Sequence, residues 1–169
     1  MSARFVIDTF DFVRNAGEHY GKIPLVELDR LRDYLSNNDG ELAYNINGIL
    51  DEDRRPALHI AVKGNLHLRC QRCLGKLVHI LDLQTKLLLV NNEVELDQYY
   101  EDDSVDAILA TPSIDVWHLI EDEIILGLPV SSRHRENECE IRNQVENNKA
   151  NKKQSEHPFA ALAALRKTH

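Results

Sequence analysis

The sequence predicts an α+β fold, with an antiparallel β-sheet core flanked by helices, and three observations lead to this class. Apolar and polar residues alternate through residues 41–50 and 57–70, and again through residues 82–87 of the segment 76–90, as in strands with one buried and one wet face. Apolar residues at helical spacing lie on both sides of this region. The strand segments follow one another closely, so an antiparallel meander is the simplest topology.

The composition indicates a soluble globular chain. Its 169 residues, 43% of them hydrophobic and 28% charged, are enough for one domain or for one domain with a tail. The N-terminal residues mix acidic and apolar side chains and lack the cleavage site of a signal peptide. No apolar run approaches the ~20 residues that a membrane span needs. We therefore expect a cytoplasmic protein without a membrane partner.

The net charge of -8 restricts the class of partners. An acidic chain repels phosphate backbones on average, so a broad RNA or DNA footprint is not expected, and DNA is not expected as a partner. Opposite charge speeds the encounter of two proteins, so a basic partner protein suits this chain. Three cysteines without an export signal do not indicate a disulfide framework.

Two helices are predicted before the strands. The first follows a short extended piece, covers residues 9–20 and is closed by Gly21, a residue type favoured just after a helix. The second has apolar residues at helical spacing and ends at residues 37–40, which are rich in Asn and Gly. Its apolar positions are Leu28, Leu31 and Leu35.

The strand at residues 57–70 has the clearest alternation. Its predicted buried face carries Leu58, Ile60, Val62, Leu66, Leu68 and Cys70. Its predicted wet face carries His59, Lys63, Asn65, His67 and Arg69. The apolar positions of the preceding strand are Leu42, Tyr44, Ile46 and Leu50.

Residues 91–106, which are acidic and without a period, predict a long surface loop. A helix follows, capped by Ser113 or Asp115 and stopped by Pro129. Its apolar stripe is predicted to face the sheet and consists of Val116, Ile120, Ile124 and Leu128. The acidic residues expected mostly on or near its outer face are Glu121, Asp122 and Glu123.

The pattern divides the chain into three parts. Residues 1–139 are predicted to form a single α+β domain, and the polar residues 140–156 a flexible linker. Residues 157–169 are predicted to form a C-terminal helix with Pro158 in its first turn. Its narrow apolar stripe suits either a tail docked on its own domain or a hook for a groove on a partner.

The stretch LRCQRCLGKL places Cys70 and Cys73 at the junction of two predicted strands, with Gly75 just beyond. Such a turn can bring two thiolates onto one metal ion, but a structural zinc site needs four ligands. His134 and Cys139 would complete a Cys-Cys-His-Cys set. Two other interpretations stay open, namely buried structural thiols and a redox pair, although thioredoxin-like pairs lie between a strand and a helix.

Positive residues line the same hairpin. Lys63 and Arg69 lie on the predicted wet face, and Arg72 and Lys76 extend this patch across the turn. The patch is interpreted either as an ordinary polar strand face or as a contact for RNA phosphate or an acidic partner.

Nothing in the sequence indicates catalysis. It has no Gly-rich phosphate loop, nucleophile elbow or metalloprotease helix. The adjacent acidic residues 121–123 would fan out around a helix instead of converging on one atom. Nothing favours a cysteine–histidine nucleophile over metal ligation. We therefore expect no catalytic residues and no enzyme.

Three stretches together resemble a known family: LRCQRCLGKL, IEDEIILGLPVSSRHRENEC and HPFAALAALRK, in this order. They are similar to the bacterial YceD family, the large ribosomal RNA subunit accumulation proteins. The resemblance implies a role in the synthesis, processing or stability of large-subunit ribosomal RNA, and it implies no enzymatic activity.

The resemblance also bears on the metal. Some relatives carry extra cysteines in the segment equivalent to Arg133 to Cys139, so the resemblance implies Zn²⁺ as a cofactor for Cys70, Cys73, His134 and Cys139. The chain departs from the family at Leu74, where relatives often have Gly, and at His157, where Asn is expected before Pro158.

The sequence therefore predicts a non-catalytic ribosome biogenesis factor. Its expected partner is large-subunit ribosomal RNA or a precursor particle, reached through a basic ribosomal protein, with the positive strand face as the part that touches RNA. Two alternatives stay open. One is a zinc-dependent protein-interaction module not specific to ribosomes, and the other is a ribonuclease acting on precursor RNA, which would need an acid/base constellation.

Overall fold

The computed structural model describes residues 5–99, 105–135 and 138–139. Within these ranges it contains a sheet-dominated core with few helices, which confirms the predicted α+β class. The strands are β1 (Val6–Ile7), β2 (Glu18–Pro24), β3 (Glu41–Leu50), β4 (Pro56–Arg69), β5 (Lys76–Val90), β6 (Asp106–Leu109) and β7 (Ile114–Asp115). The α-helices are α1 (Thr9–Arg14), α2 (Glu93–Asp97) and α3 (Val116–Gly127).

Five strands form the main sheet in the order β2-β3-β4-β5-β6, and β1 pairs with β7 in a separate two-stranded sheet. The predicted meander is confirmed for β3, β4 and β5, whereas β6 joins β5 in parallel, so the sheet is mixed. β4 and β5 pair along nearly their whole length, from Ala57 opposite Leu88 to Arg69 opposite Lys76. This long hairpin ends in the turn that carries Cys70 and Cys73.

One face of the sheet packs into the hydrophobic core. The six residues predicted for the buried face of β4, Leu58 to Cys70, are all buried, while the alternate residues from His59 to Arg69 are exposed or half-buried. α3 adds Val116, Ile120 and Ile124 to the same core. Since burying each such side chain contributes about 1.5–3 kcal/mol, one-sided burial explains why the sequence alternates.

The helix predicted over residues 9–20 is wrong beyond Arg14. Ala16 has a φ of 45°, which no right-handed helix continues, and residues 18–24 form β2 instead. β2 pairs with β3 over its whole length and satisfies the outer backbone groups of that strand. Gly21 therefore lies in a strand against the ring of Tyr44, not behind a helix.

The second predicted helix is also wrong. Two short 3-10 turns, Leu25–Glu27 and Asp29–Leu31, replace it, and Leu28 between them has a φ of -94° and a ψ of 82°. Its three spaced leucines, Leu28, Leu31 and Leu35, are nevertheless buried. Apolar residues three apart lie on one side of a 3-10 turn as well as of an α-helix, so the spacing did not distinguish the two.

The stretch predicted as a loop, residues 91–106, contains α2 and the first residue of β6. The side chain of Asn92 caps α2 by accepting a hydrogen bond of 2.9 Å from the backbone N–H of Glu95. Leu50, expected on the buried face of β3, is 61% exposed at the end of that strand.

Glu121 lies on the inner side of α3, contrary to expectation, and is only 2% exposed. Its carboxylate accepts hydrogen bonds from the backbone N–H of Arg30 at 2.6 Å and of Leu31 at 3.3 Å. These two groups belong to the second 3-10 turn, and the N–H of Leu31 also donates to the carbonyl of Leu28 at 3.3 Å. Of the two candidate caps of α3, Asp115 accepts from the backbone N–H of Trp117 at 3.0 Å.

The chain divides into two compact units, Met1–Arg133 and His134–His169, and the second is described only at residues 134, 135, 138 and 139. The single domain over residues 1–139 stays a prediction. The linker at residues 140–156 and the helix at residues 157–169 lie outside the described residues. Among the helices of the described residues, none combines the length and the apolar character needed to cross a membrane.

Candidate metal centre and open sheet face

The turn between β4 and β5 positions the cysteine pair. The backbone N–H of Cys70 donates to the carbonyl of Gly75 at 2.9 Å, and that of Leu74 donates to the carbonyl of Cys70 at 2.8 Å. Cys70 continues the buried face of β4, and Cys73 is half-buried. A Cβ at Gly75 would lie 3.4 Å from the Sγ of Cys73, at the short end of ordinary van der Waals contact.

Leu74 takes the backbone conformation that glycine favours. Its φ is 60°, in the left-handed region, and its side chain is 69% exposed. A non-glycine residue in this region costs about 1–2 kcal/mol, and an exposed side chain recovers little of that cost by packing. Leu74 is therefore a strained position of this turn.

The other two predicted ligands lie close to each other. The Sγ of Cys139 is 3.5 Å from the Nδ1 of His134. Cys139 is buried and His134 is half-buried.

All four predicted ligands come together among the described residues. The ligand atoms of Cys70, Cys73, His134 and Cys139 lie within 4.8 Å of one another, an arrangement compatible with a metal site. None of the three cysteines is joined in a disulfide. The cysteine turn lies between two strands, whereas thioredoxin-like redox pairs lie between a strand and a helix.

The four predicted phosphate-contacting residues lie along the hairpin on the side away from the core or in its turn. Lys63 and Arg69 are exposed on β4, Lys76 is exposed at the start of β5, and Arg72 is in the turn. Arg69 lies directly opposite Lys76, whereas Lys63 lies opposite Asp82 and forms an ion pair with it at 3.1 Å. Arg69 and Lys76 thus bring two cationic side chains to the turn end of this face.

A cleft of about 560 Å³ beside β5 and β6 has no counterpart in the sequence prediction. Its walls include Leu87, Ile108 and Leu126, and its polar groups include Thr85, Asp106 and Glu123. Burial raises the pKa of Glu123, the nearby carboxylates of Asp106 and Asp122 act in the same direction, and a hydrogen bond with Thr85 opposes them. The cleft depends on β6 and α2, two short elements that the sequence pattern did not predict.

A protein-family model described as "Large ribosomal RNA subunit accumulation protein YceD" matches residues 58–166. The match covers more than half of the chain and includes β5, α3 and the four residues of the Cys/His cluster. No solved structure matches the chain.

Proposed function

The chain belongs to the YceD family, and from this premise we propose that it is a non-catalytic ribosome biogenesis factor. It supports the accumulation of large-subunit ribosomal RNA in the cytoplasm, through the synthesis, processing or stability of that RNA. The observation that carries this proposal is the family match over residues 58–166.

The second part of the proposal is that Cys70, Cys73, His134 and Cys139 hold Zn²⁺. Structural zinc takes thiolates at about 2.3 Å and imidazole nitrogens at about 2.0–2.1 Å. A tetrahedron with these bonds places two sulfurs about 3.8 Å apart, and a sulfur and a nitrogen about 3.6 Å apart. The 3.5 Å between Cys139 Sγ and His134 Nδ1, and the limit of 4.8 Å for all pairs, support this geometry.

The proposed zinc has a structural role. Four protein ligands fill a tetrahedral shell and leave no position for water or substrate, unlike catalytic zinc, which has three protein ligands. Substitution with Co²⁺ tests the ligand set, because tetrahedral cobalt thiolates absorb strongly in the visible range. We expect His134→Ala to change this absorption and His118→Ala, at an exposed histidine outside the cluster, to leave it unchanged. Identical Co²⁺ absorption spectra for the two variants would show that His134 is not a ligand.

The third part of the proposal concerns the RNA contact. We place the phosphate contact at Arg69 and Lys76, two exposed cationic residues opposite each other on β4 and β5, with Arg72 in the adjoining turn. Lys63 lies farther from the turn on β4, where it forms an ion pair with Asp82. Because the whole chain carries a net charge of -8, we propose that this contact is local and that a basic ribosomal protein provides most of the attachment to the precursor particle.

The test of the biogenesis role is a sucrose-gradient ribosome profile of cells depleted of the protein. Large- and small-subunit ribosomal RNA are quantified in the same samples. We expect a selective loss of large-subunit RNA that the native chain restores. An unchanged ratio, with the protein shown to be absent, would overturn the proposal and favour a zinc-dependent interaction module outside the ribosome.

The RNA contact is tested in the same depleted cells. The double variant Arg69→Gln/Lys76→Gln is expected to restore large-subunit RNA less well than the native chain. Lys22→Gln is the matched control, because Lys22 is an exposed lysine on the distant strand β2 and pairs with Glu41. Full restoration by the double variant would exclude the RNA contact while leaving the biogenesis role intact.

A further inference from the structure

β5 has one edge that the described part of the chain leaves largely open. β4 pairs with β5 along one edge, but β6 covers the other edge only at residues 87–90. Within the described ranges, the backbone of residues 77–86 makes no hydrogen bond on the side away from β4. An open edge of this length is a template for another strand, and proteins usually protect such edges with short strands, bulges or inward charges.

The side chains along this edge are apolar where an edge strand is usually charged. Val78 is 60% exposed and Ile80 is 77% exposed, and both project from the outer face of β5. They are flanked on the same face by the exposed residues Lys76 and Asp82. From residue 76 to residue 82, the outer face of β5 thus presents a cationic, two apolar and an anionic side chain in this order.

This order of side chains complements the same order running in the opposite direction, as it would in a second, antiparallel copy of β5. In an antiparallel pair of two β5 strands centred on His79, Val78 of each copy faces Ile80 of the other, and Lys76 of each copy faces Asp82 of the other. Each favourable contact then occurs twice by two-fold symmetry. Centring the pair one residue earlier would place Lys76 opposite Ile80, and one residue later would place Val78 opposite Asp82. Charge and apolar character therefore select the His79 register.

We propose that two copies of the chain associate through their β5 edges, antiparallel and centred on His79, so that the two main sheets become continuous. A second copy is the occupant because the charges of this segment complement their own reversed order. Asp82 would then lie between Lys63 of its own chain, 3.1 Å away, and Lys76 of the second copy. This inference does not depend on the proposed function.

The test is sedimentation velocity of the full chain between about 1 µM and about 200 µM. The native chain is expected to shift with concentration from 19.4 kDa to twice that mass. Two double variants at Val78 and Ile80 distinguish association through the β5 edges from association through another surface. Val78→Lys/Ile80→Lys places lysine opposite lysine and is expected to stay monomeric, whereas Val78→Lys/Ile80→Glu places lysine opposite glutamate and is expected to restore the dimer. Circular dichroism checks that both variants fold.

The second variant also tests the register. Centred on residue 78 it would oppose two lysines, and centred on residue 80 it would oppose two glutamates, so only the His79 register restores association. Val26→Lys, at a 55% exposed valine away from β5, is the control that should remain dimeric. A native chain that stays monomeric at all concentrations would overturn the proposal. So would a dimer that survives Val78→Lys/Ile80→Lys, or a second variant that stays monomeric.

Discussion

Replacing Glu121 by alanine should be one of the most damaging single changes on α3. The carboxylate is buried and accepts two backbone hydrogen bonds, from Arg30 at 2.6 Å and from Leu31 at 3.3 Å. Alanine would take this acceptor from the N–H of Arg30 and would leave the N–H of Leu31 with only the carbonyl of Leu28, 3.3 Å away. The variant should therefore separate α3 from the 3-10 turn that it holds.

The magnitude follows from the two bonds. A hydrogen bond to a charged acceptor contributes about 1.5–3 kcal/mol, and the longer of the two contributes less. Removing a buried charge recovers some desolvation energy, so we expect Glu121→Ala to lower the free energy of unfolding by about 3 kcal/mol. With an m-value of about 2 kcal/mol/M, the urea midpoint should fall by about 1.5 M.

The neighbouring residue provides the control. Asp122 also contacts Arg30, but through an ion pair between side chains that are each about half exposed. Such surface pairs contribute about 0–1 kcal/mol, so Asp122→Ala should move the urea midpoint by less than about 0.5 M. Equal midpoints for the two alanine variants would refute the assignment of Glu121 as the buried acceptor.

Three further predictions concern the cleft, the packing of α1 and the cysteine turn. Glu123→Gln should raise the melting temperature near pH 7.5 and have little effect near pH 4. Burial raises the pKa of Glu123 in the folded protein, so the folded state favours the protonated side chain. The resulting stabilisation is fully present below the ordinary pKa of about 4.3 and is lost as the pH rises through the raised pKa. A change in melting temperature that did not depend on pH would contradict this explanation. Gly48→Ala should cost about 2–3 kcal/mol in urea titrations, because its Cβ would lie 2.7 Å from the Cα of Val13. Gly64→Ala, which meets mainly a leucine side-chain end, should cost less. Leu74→Gly should be neutral or stabilise by up to about 1 kcal/mol, whereas Leu74→Val should destabilise, since β-branched residues tolerate a positive φ poorly.

The long hairpin could be predicted from the sequence because β4 from Leu58 onward and β5 up to Lys86 each keep one face toward water. Burial alternates along most of β4 and along β5 as far as Lys86, which is long enough for a period of two to stand out. β2 is an edge strand in which only Ile23 is buried, so no apolar alternation marks it. β6 has four residues and pairs in parallel with a distant strand, so its existence depends on tertiary pairing that local spacing does not contain.

The candidate metal centre could likewise be predicted only in part from the sequence. Cys70 and Cys73 were predictable as a pair because two residues between cysteines in a hairpin turn bring their sulfurs together. His134 and Cys139 could be named from their chemistry, but their distance from the turn required the structure. The buried Glu121 was missed because its two partners are backbone groups about ninety residues earlier in the chain.

The zinc content of the native protein, purified without chelator, tests most directly the claim that the four ligands form one metal centre. We predict about one zinc per chain by elemental analysis, and a marked loss of zinc in Cys73→Ser. Less than about a tenth of an equivalent in the native protein would contradict the four-ligand site and leave Cys70 and Cys139 as buried structural thiols.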